Sequence, residues 1–583
     1  MIGKKHKLLC LLLSLTLIFS AFGCGKTQAD ECPYKEFLVV DVFDTLANYQ
    51  GIQSGWFAKI IKDKFNMELN IISRNVSGGG DTLFDTRAAA GNLGDLVIFS
   101  ADDGSLEDLV NAGLLTDMSS MLKGKEIMKY ERAIRALNNS IDENAIYAIP
   151  SRVSSNASTV PSEALEPTYG PYLRWDLYAK LNYPKISTLE DLLPVLKQMQ
   201  ELEPYSESGK PTYAFSFFKD WDGNLMTAAK QPACLYGYDE FGFLLLKADS
   251  SDYQSIIEDD SLYVRVLKLY YDANQMGLVD PDSYTQNYTM LFDKYKDGQI
   301  LYSPWPWLGQ SAYNTSTHTS EGKGFMIAPV DDMQVYSYGC EPEGNTKSVI
   351  AIGSGTQDPE RLADFINWLY SPEGIRINGA DNSSAAGPEG LTWEMTENGP
   401  QLTDFGIDVL YNGKELSVPD EYGGGKWSDG VSALNYKSVT LTDLDENGYP
   451  YAYNLWDSVL ALATGPLQTD WNRFMKASNT IDYLREHDQL IVSPGCSFCS
   501  SSESSDISTM RGQCSTTIVD YSWKMIFAKD ETEFYSLLKE MQDTVRSLGY
   551  EQVLNYDLEN AKKYIEAKIA SANLNKEETT DND

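Results

Sequence analysis

Short apolar runs and stretches of helical spacing alternate from the start of the chain's body. Phe37-Leu-Val-Val-Asp41 reads as a buried strand closed by an acid, Gly55 through Phe65 repeats apolar residues at helical spacing, and Met67 to Ile72 alternates with period two. A third apolar run, Leu96-Val-Ile-Phe99, follows the helical stretch Asp81 to Ala90 and the turn Gly91-Asn-Leu-Gly94-Asp95. This β-α-β order predicts a sheet with crossover helices. Leu106 to Ala112 predicts a helix stopped by Gly113, and Tyr147-Ala-Ile-Pro150 an extended segment where the chain crosses to a second lobe.

The pattern continues with helices at Leu173 to Leu181 and from Thr188, an N-cap with acids in the first turn, to Leu202. Strands are predicted at Gln299 to Ser303, Gly324 to Pro329 and Ser348 to Ile352, with a helix from Pro359 to Leu369. Residues 381–450 are rich in Gly, Asn, Asp and Pro and read as loops, and 492–516 as a Ser/Cys insertion. Helices return at Thr532 to Leu548 and Glu559 to Ala570, before a polar tail expected to be disordered.

The amino terminus changes the picture. Lys4, Lys5 and Lys7 precede the apolar run Leu8 to Phe19, and Ser20-Ala21-Phe22-Gly23-Cys24 closes it with small residues before a cysteine. That is the pattern of a secretory signal with a lipoprotein cleavage site, in which the Cys24 thiol carries the lipid. The body is then expected outside the cytoplasm, held to the membrane by that lipid only. With 84 acids against 47 Lys and Arg, the net charge of −37 repels phosphate backbones, so nucleic acid is not an expected partner. Cys10 and Cys24 aside, six cysteines allow fifteen pairings and sequence does not choose among them.

Several blocks resemble one family, the extracellular solute-binding proteins of family 1, in the long lipoprotein branch that serves carbohydrate ABC importers. They are Gly94-Asp95-Leu96-Val97; Leu173-Arg174-Trp175-Asp176 followed by Thr188-Leu-Glu-Asp191; and the Asp297-Gly298 turn before Trp305. Asp358-Pro359-Glu360 through Asn367-Trp368-Leu369-Tyr370-Ser371-Pro372-Glu373-Gly374, Gly387-Pro388-Glu389-Gly390-Leu391-Thr392-Trp393, and the helix Glu533 to Tyr550 complete the set. The resemblance implies an α/β type II periplasmic-binding-protein fold, two lobes joined by a hinge over a ligand cleft. The expected division is a signal at 1–23, a tether at 24–33, one lobe from 34–150 plus 325–380, the other from 151–324 plus 381–573, and a tail at 574–583. It also implies an oligosaccharide or other small carbohydrate as ligand, ABC permease subunits as partners, a monomer, no cofactor and no catalysis. The calcium loop of some relatives has no counterpart in Glu203 to Pro211. Asp443-Leu-Asp445-Glu-Asn447-Gly448 repeats half of another calcium loop but has Asn454 where a bidentate Glu belongs.

Sugar binding asks for flat apolar faces and planar polar groups on cleft loops. Tyr302-Ser-Pro304-Trp305-Pro306-Trp307 offers two indoles on a stretch stiffened by proline, each with a core role as the alternative. Further candidates are Trp56 at a helix start, with a packing staple as the alternative, Trp393 in the Gly-rich block, the loop aromatics Trp221 and Tyr169, Arg152, Arg174, which could equally pair with Asp176 or a neighbour, and Asp44 after the first strand. Only His6, His318 and His487 are present, so a Ser-His-Asp triad or a His-rich metal site has almost no material. Gly344-Asn-Thr-Lys347-Ser348 lacks the glycine spacing of a phosphate loop. A glycosidase needs only two carboxylates and stays open, as does a peptide-binding receptor.

Overall fold

Residues Leu38–Asp44 form a strand whose alternation decides where each side chain goes: Val40 and Val42 join one buried cluster and Phe43 another. Leu96–Phe99 divides in the same way, Leu96 and Ile98 to one face and Val97 and Phe99 to the other. Because successive side chains of a strand point to opposite faces, a strand covered on both sides is an unbroken apolar run. The structure, a computed structural model, describes residues 32–580 apart from 75–79, 102–103, 140, 380–383 and 463–464. Cys24 and the signal lie outside the described residues.

Two sheets organise the chain. In chain order their strands are β1 (Leu38–Asp44), β2 (Gly51–Ile52), β3 (Met67–Ile72), β4 (Leu96–Phe99), β5 (Ala148–Ser151), β6 (Tyr172–Arg174), β7 (Tyr302–Ser303), β8 (Phe325–Ile327) and β9 (Asn345–Ile352). The first sheet runs β2-β3-β1-β4-β9-β5, with β1 parallel to β3 and β4, and β9 antiparallel to β4 and β5. The second runs β7-β6-β8 and is antiparallel.

The helix Gly55–Phe65 covers the first sheet with Phe57, Ile61 and Phe65, an apolar stripe at spacing four, and with Trp56 beside it. Asn66 ends it in the left-handed region at φ 47°, its N–H returning to the Lys62 carbonyl. The helix Pro359–Leu369 covers the same face.

Buried clusters mark the lobes. One draws only on residues between Tyr169 and Tyr336 and between Leu467 and Val553. Two others lie on the two faces of the first sheet, one of them joined by Leu391, Val409, Trp427 and Tyr436, and a small fourth joins Trp393 to Trp456. The expected division is therefore corrected at two points. Residues 325–338 belong to the second lobe, because β8 pairs with β6 and Val335–Tyr338 pairs with Leu490–Ser493. Residues 391–459 belong to the first, and the chain crosses back only between Leu460 and Pro466.

The hinge is a set of short backbone ladders. Val153 bridges to both Glu341 and Val439, and the Arg152 and Val153 N–H groups donate to Lys437 and Ser438 carbonyls at 2.8 and 3.0 Å. Arg152 holds φ 50°, a left-handed conformation unusual for a side chain of its size.

Three further expectations are corrected. Residues 172–174 are strand, and the helix begins at Trp175. The Ser/Cys stretch enters a helix, Ser505–Ile526, whose Trp523 and Ile526 are buried against the helices Leu262–Gln275 and Glu531–Ser547. The last helix, Tyr550–Thr580, continues into the stretch expected to be disordered. Among the described residues no helix is long and apolar enough to cross a membrane.

Candidate functional site

Between β7 and the helix Pro306–Tyr313 the backbone turns sharply, and Ser303 fixes the turn: its hydroxyl accepts the Trp305 N–H at 3.3 Å and donates to the Trp305 carbonyl at 2.8 Å. Pro306 follows as the first helical residue, where its missing N–H costs nothing. The turn places Trp305 and Trp307 face to face, with ring centroids 4.7 Å apart and an interplanar angle of 29°. Trp305 is the inner ring, 7% exposed and part of the second-lobe core. Trp307 is half-buried, with its far side toward the space between the lobes.

Trp221 extends this surface. Its ring lies 5.8 Å from that of Trp307 and 6.3 Å from that of Trp305, stacks on Tyr288 at 4.9 Å, and is 43% exposed. The loop that carries it is held by Asp222, which accepts the Thr227 N–H at 2.9 Å and the Trp523 indole N–H at 2.7 Å.

Across the gap, the first lobe presents Trp56 stacked on Trp427 at 4.8 Å and 12°, the Trp56 indole donating to the Trp427 carbonyl at 3.2 Å. A Cβ on Gly430 would lie 2.1 Å from Cδ1 of Trp56, so only glycine lets the loop pass this close. Trp56 is 2% exposed, and the edge it shows contributes to two cavities. One, of about 380 Å³, brings Trp56 and Trp427 of the first lobe and Trp307 of the second around a single space, with Val409 and Tyr453 at its side and, among the described residues, no charged residue in its lining. The other, of about 520 Å³, adds Trp393, Arg376 and Glu389.

A third and larger cavity, about 970 Å³, is polar. Its walls include Tyr169, Asn224 and Lys230 of the second lobe and Asn345–Lys347 at the end of β9. Tyr169 is buried, shares a 2.8 Å hydrogen bond with the Tyr338 hydroxyl, and adjoins the tryptophan turn through the Gly170 N–H, which donates to the Pro304 carbonyl at 3.0 Å. The polar cavity and the tryptophan surface thus draw on one second-lobe segment, 221–230: Trp221 stands beside Trp307, and Asn224 and Lys230 line the polar cavity.

The remaining candidates stand elsewhere. Trp393 donates its indole N–H to the Gly387 carbonyl at 3.0 Å and packs on Trp456, with Arg376 5.2 Å from its ring. Arg152 sits in the hinge, 3.6 Å from Glu341 and 3.4 Å from the Ser162 hydroxyl. Arg174 is fully buried: it forks onto Asp176 with two 2.9 Å hydrogen bonds, reaches Glu203 at 3.0 Å, and lies over Tyr313. Its expected place in the cleft is corrected, since its charge is spent inside the second lobe and it lines none of these cavities. Asp44 is buried as well, accepting backbone N–H groups of Leu46 at 3.0 Å and Asn435 at 2.8 Å, and burial pushes its carboxyl up to about 6. It ties β1 to the 432–440 segment and lines none of these cavities. The Asp443 stretch is an Asx turn, in which Asp445 accepts the Asn447 and Tyr449 N–H groups and pairs with Arg376. Sequence reading passed over Trp427 and Tyr453; the only signal was an indole after Gly423-Gly-Gly-Lys426, inside a region read as loop.

Comparison with known proteins agrees with this architecture. The chain is similar to the alginate-binding protein AlgQ2, solved without calcium ion, at 14% identity and a TM-score of 0.58, over 91% of this chain and 99% of that one. It is similar to an HMO-binding, ABC-transporter-associated solute-binding protein from Bifidobacterium longum infantis at 14% identity and a TM-score of 0.56, over 92% and 100% of the two chains. FusA of Streptococcus pneumoniae, in complex with kestose, matches at 13% identity and a TM-score of 0.55, over 91% and 99%. These likenesses carry the fold, the two-lobed α/β type II periplasmic-binding-protein architecture. No curated protein matches the sequence. The family model of the bacterial extracellular solute-binding proteins matches residues 53–375, more than half of the chain. The chain is a member of the bacterial extracellular solute-binding protein family.

Proposed function

We propose that this protein is the lipid-anchored substrate-binding subunit of an ABC importer and that it captures an oligosaccharide in the aromatic cleft between its lobes. The observation that carries the reading is the 380 Å³ space walled by Trp56 and Trp427 on one lobe and Trp307 on the other. Indole faces match the C–H faces of pyranose rings, and a ligand touching both lobes favours the closed arrangement over the open one. Hinge ladders as short as those at Val153 suit such a closure. The likeness to solved sugar receptors supports the same ligand class.

In this reading Cys24 carries the lipid at the outer face of the membrane, and the monomer hands its cargo unaltered to permease subunits. Membership of the solute-binding family favours a receptor over a glycoside-cleaving enzyme. The test is a thermal-shift screen of the purified protein against oligosaccharides and peptides, with any bound glycan recovered and weighed. A raised melting midpoint with a glycan that is recovered intact supports the proposal. A shift with peptides only, or a cleaved glycan, rejects it.

A further inference from the structure

The large polar cavity is walled from both lobes, and its chemistry selects among sugars. Among the described residues, five carboxylates and four cations line it. The cations are largely engaged. Lys230 pairs with Asp239; Arg511 reaches Glu503 at 2.6 Å and Asp557 at 2.6 and 3.1 Å; Lys568 donates to the Ala248 carbonyl at 3.1 Å. Lys347 faces both Glu240 and Glu341, whose carboxyls burial pushes upward.

The unsatisfied groups point the same way. Among the described residues, two buried polar atoms of this lining lack a hydrogen-bond partner, Oδ1 of Asn560 and Oε2 of Glu341, which stands 3.6 Å from the Arg152 guanidinium, and both are acceptors. A buried acceptor without a donor is costly, so a ligand that enters with hydroxyl groups relieves it. A carboxylate brings the wrong sign and no proton to give. Among the described residues, the lining of the aromatic cavity holds no cation either.

Resting on the sugar-receptor reading, we infer that the cleft selects neutral oligosaccharides over those built from uronic acids, with Glu341 and Asn560 as acceptors for sugar hydroxyls. The neighbouring fold of an alginate-binding protein does not carry its ligand over, because the charge of the cleft decides.

The experiment is calorimetric titration of the purified protein with neutral manno-, xylo- and fructo-oligosaccharides and with oligomannuronate and oligogalacturonate of matched length. At least one neutral series is expected to bind about tenfold or more tighter than any uronate, since unpaired like charges at contact distance inside a protein oppose each other by more than that factor. Uronates bound as tightly as, or more tightly than, the neutral series overturn this inference and leave the sugar-receptor reading standing. Titration without heat for every sugar overturns that reading and this inference with it. Glu341→Gln, which keeps the shape, is expected to narrow the preference at least about threefold by removing one of the opposing charges. An unchanged preference in that variant contradicts the assignment of discrimination to this cavity.

Discussion

Replacing Trp307 by Ala tests the aromatic cleft with little damage to the fold. The indole stacks on Trp305 at 4.7 Å, lies 5.8 Å from Trp221, and shows its other side to the interlobe space. A pyranose laid on that side removes about 80 Å² of apolar surface from water, worth about 2 kcal/mol at ~25 cal/mol/Å². Losing it raises Kd about 30-fold. The folding cost comes from the ring pair, ~1 kcal/mol, and from the part of the ring already covered, about as much again. Trp305→Ala is a poorer probe, because that ring is core and its loss costs about 3–5 kcal/mol. The assay is calorimetric titration of Trp307→Ala and wild type with the oligosaccharide that raises the wild-type melting midpoint, with scanning calorimetry of both. A folded variant that binds within twofold of wild type refutes the placement of the ligand against this ring.

Three other outcomes follow from particular contacts. Arg174→Ala leaves Asp176 and Glu203 without their buried partner, so the midpoint of chemical unfolding should correspond to a loss of about 3–5 kcal/mol, while Kd of the folded protein stays unchanged. Gly430→Ala drives a methyl into Trp56 and should cost at least ~2 kcal/mol and weaken binding together, because the Trp56–Trp427 stack must shift; an unaltered protein would contradict the packing described. Asp44 has a folded-state carboxyl at about 6, above its unfolded value, so its contribution to stability is complete below about pH 4 and is lost as pH rises through 6. Stability curves of Asp44→Asn and wild type should therefore diverge by about 3 kcal/mol in favour of the variant between pH 4 and pH 7, and parallel curves would contradict the burial of this charge.

Local pattern made much of the fold legible, and long-range pairing hid the rest. The strands β1, β3 and β4 and the helix Gly55–Phe65 follow from runs and spacings within a few residues, and they stand where those runs lie. The tryptophan turn was readable because proline and serine act on their immediate neighbours. Trp427 was not, since its partner Trp56 is hundreds of positions away and its own surroundings are glycine. The same holds for Asp44 and Asn435, joined across the first lobe, and for the second crossing, displaced from 325 to about 340 by the pairing of β8 with β6. The helix Ser505–Ile526 carries many Ser and Thr residues of modest propensity, and packing against two neighbouring helices outweighs that deficit. Arg174 shows the limit of residue type as a guide: a guanidinium suits a ligand hydroxyl or a neighbouring acid equally, and the structure gives it to Asp176 two positions on and to Glu203.

The central claim is that an unaltered oligosaccharide is held between the two lobes. Small-angle scattering of the purified protein, with and without the glycan that raises its melting midpoint, measures that directly. The account expects a smaller radius of gyration on saturation, one glycan per chain and a recovered glycan of unchanged mass. Binding that leaves the radius unchanged, or a recovered glycan that has been cut, would contradict it.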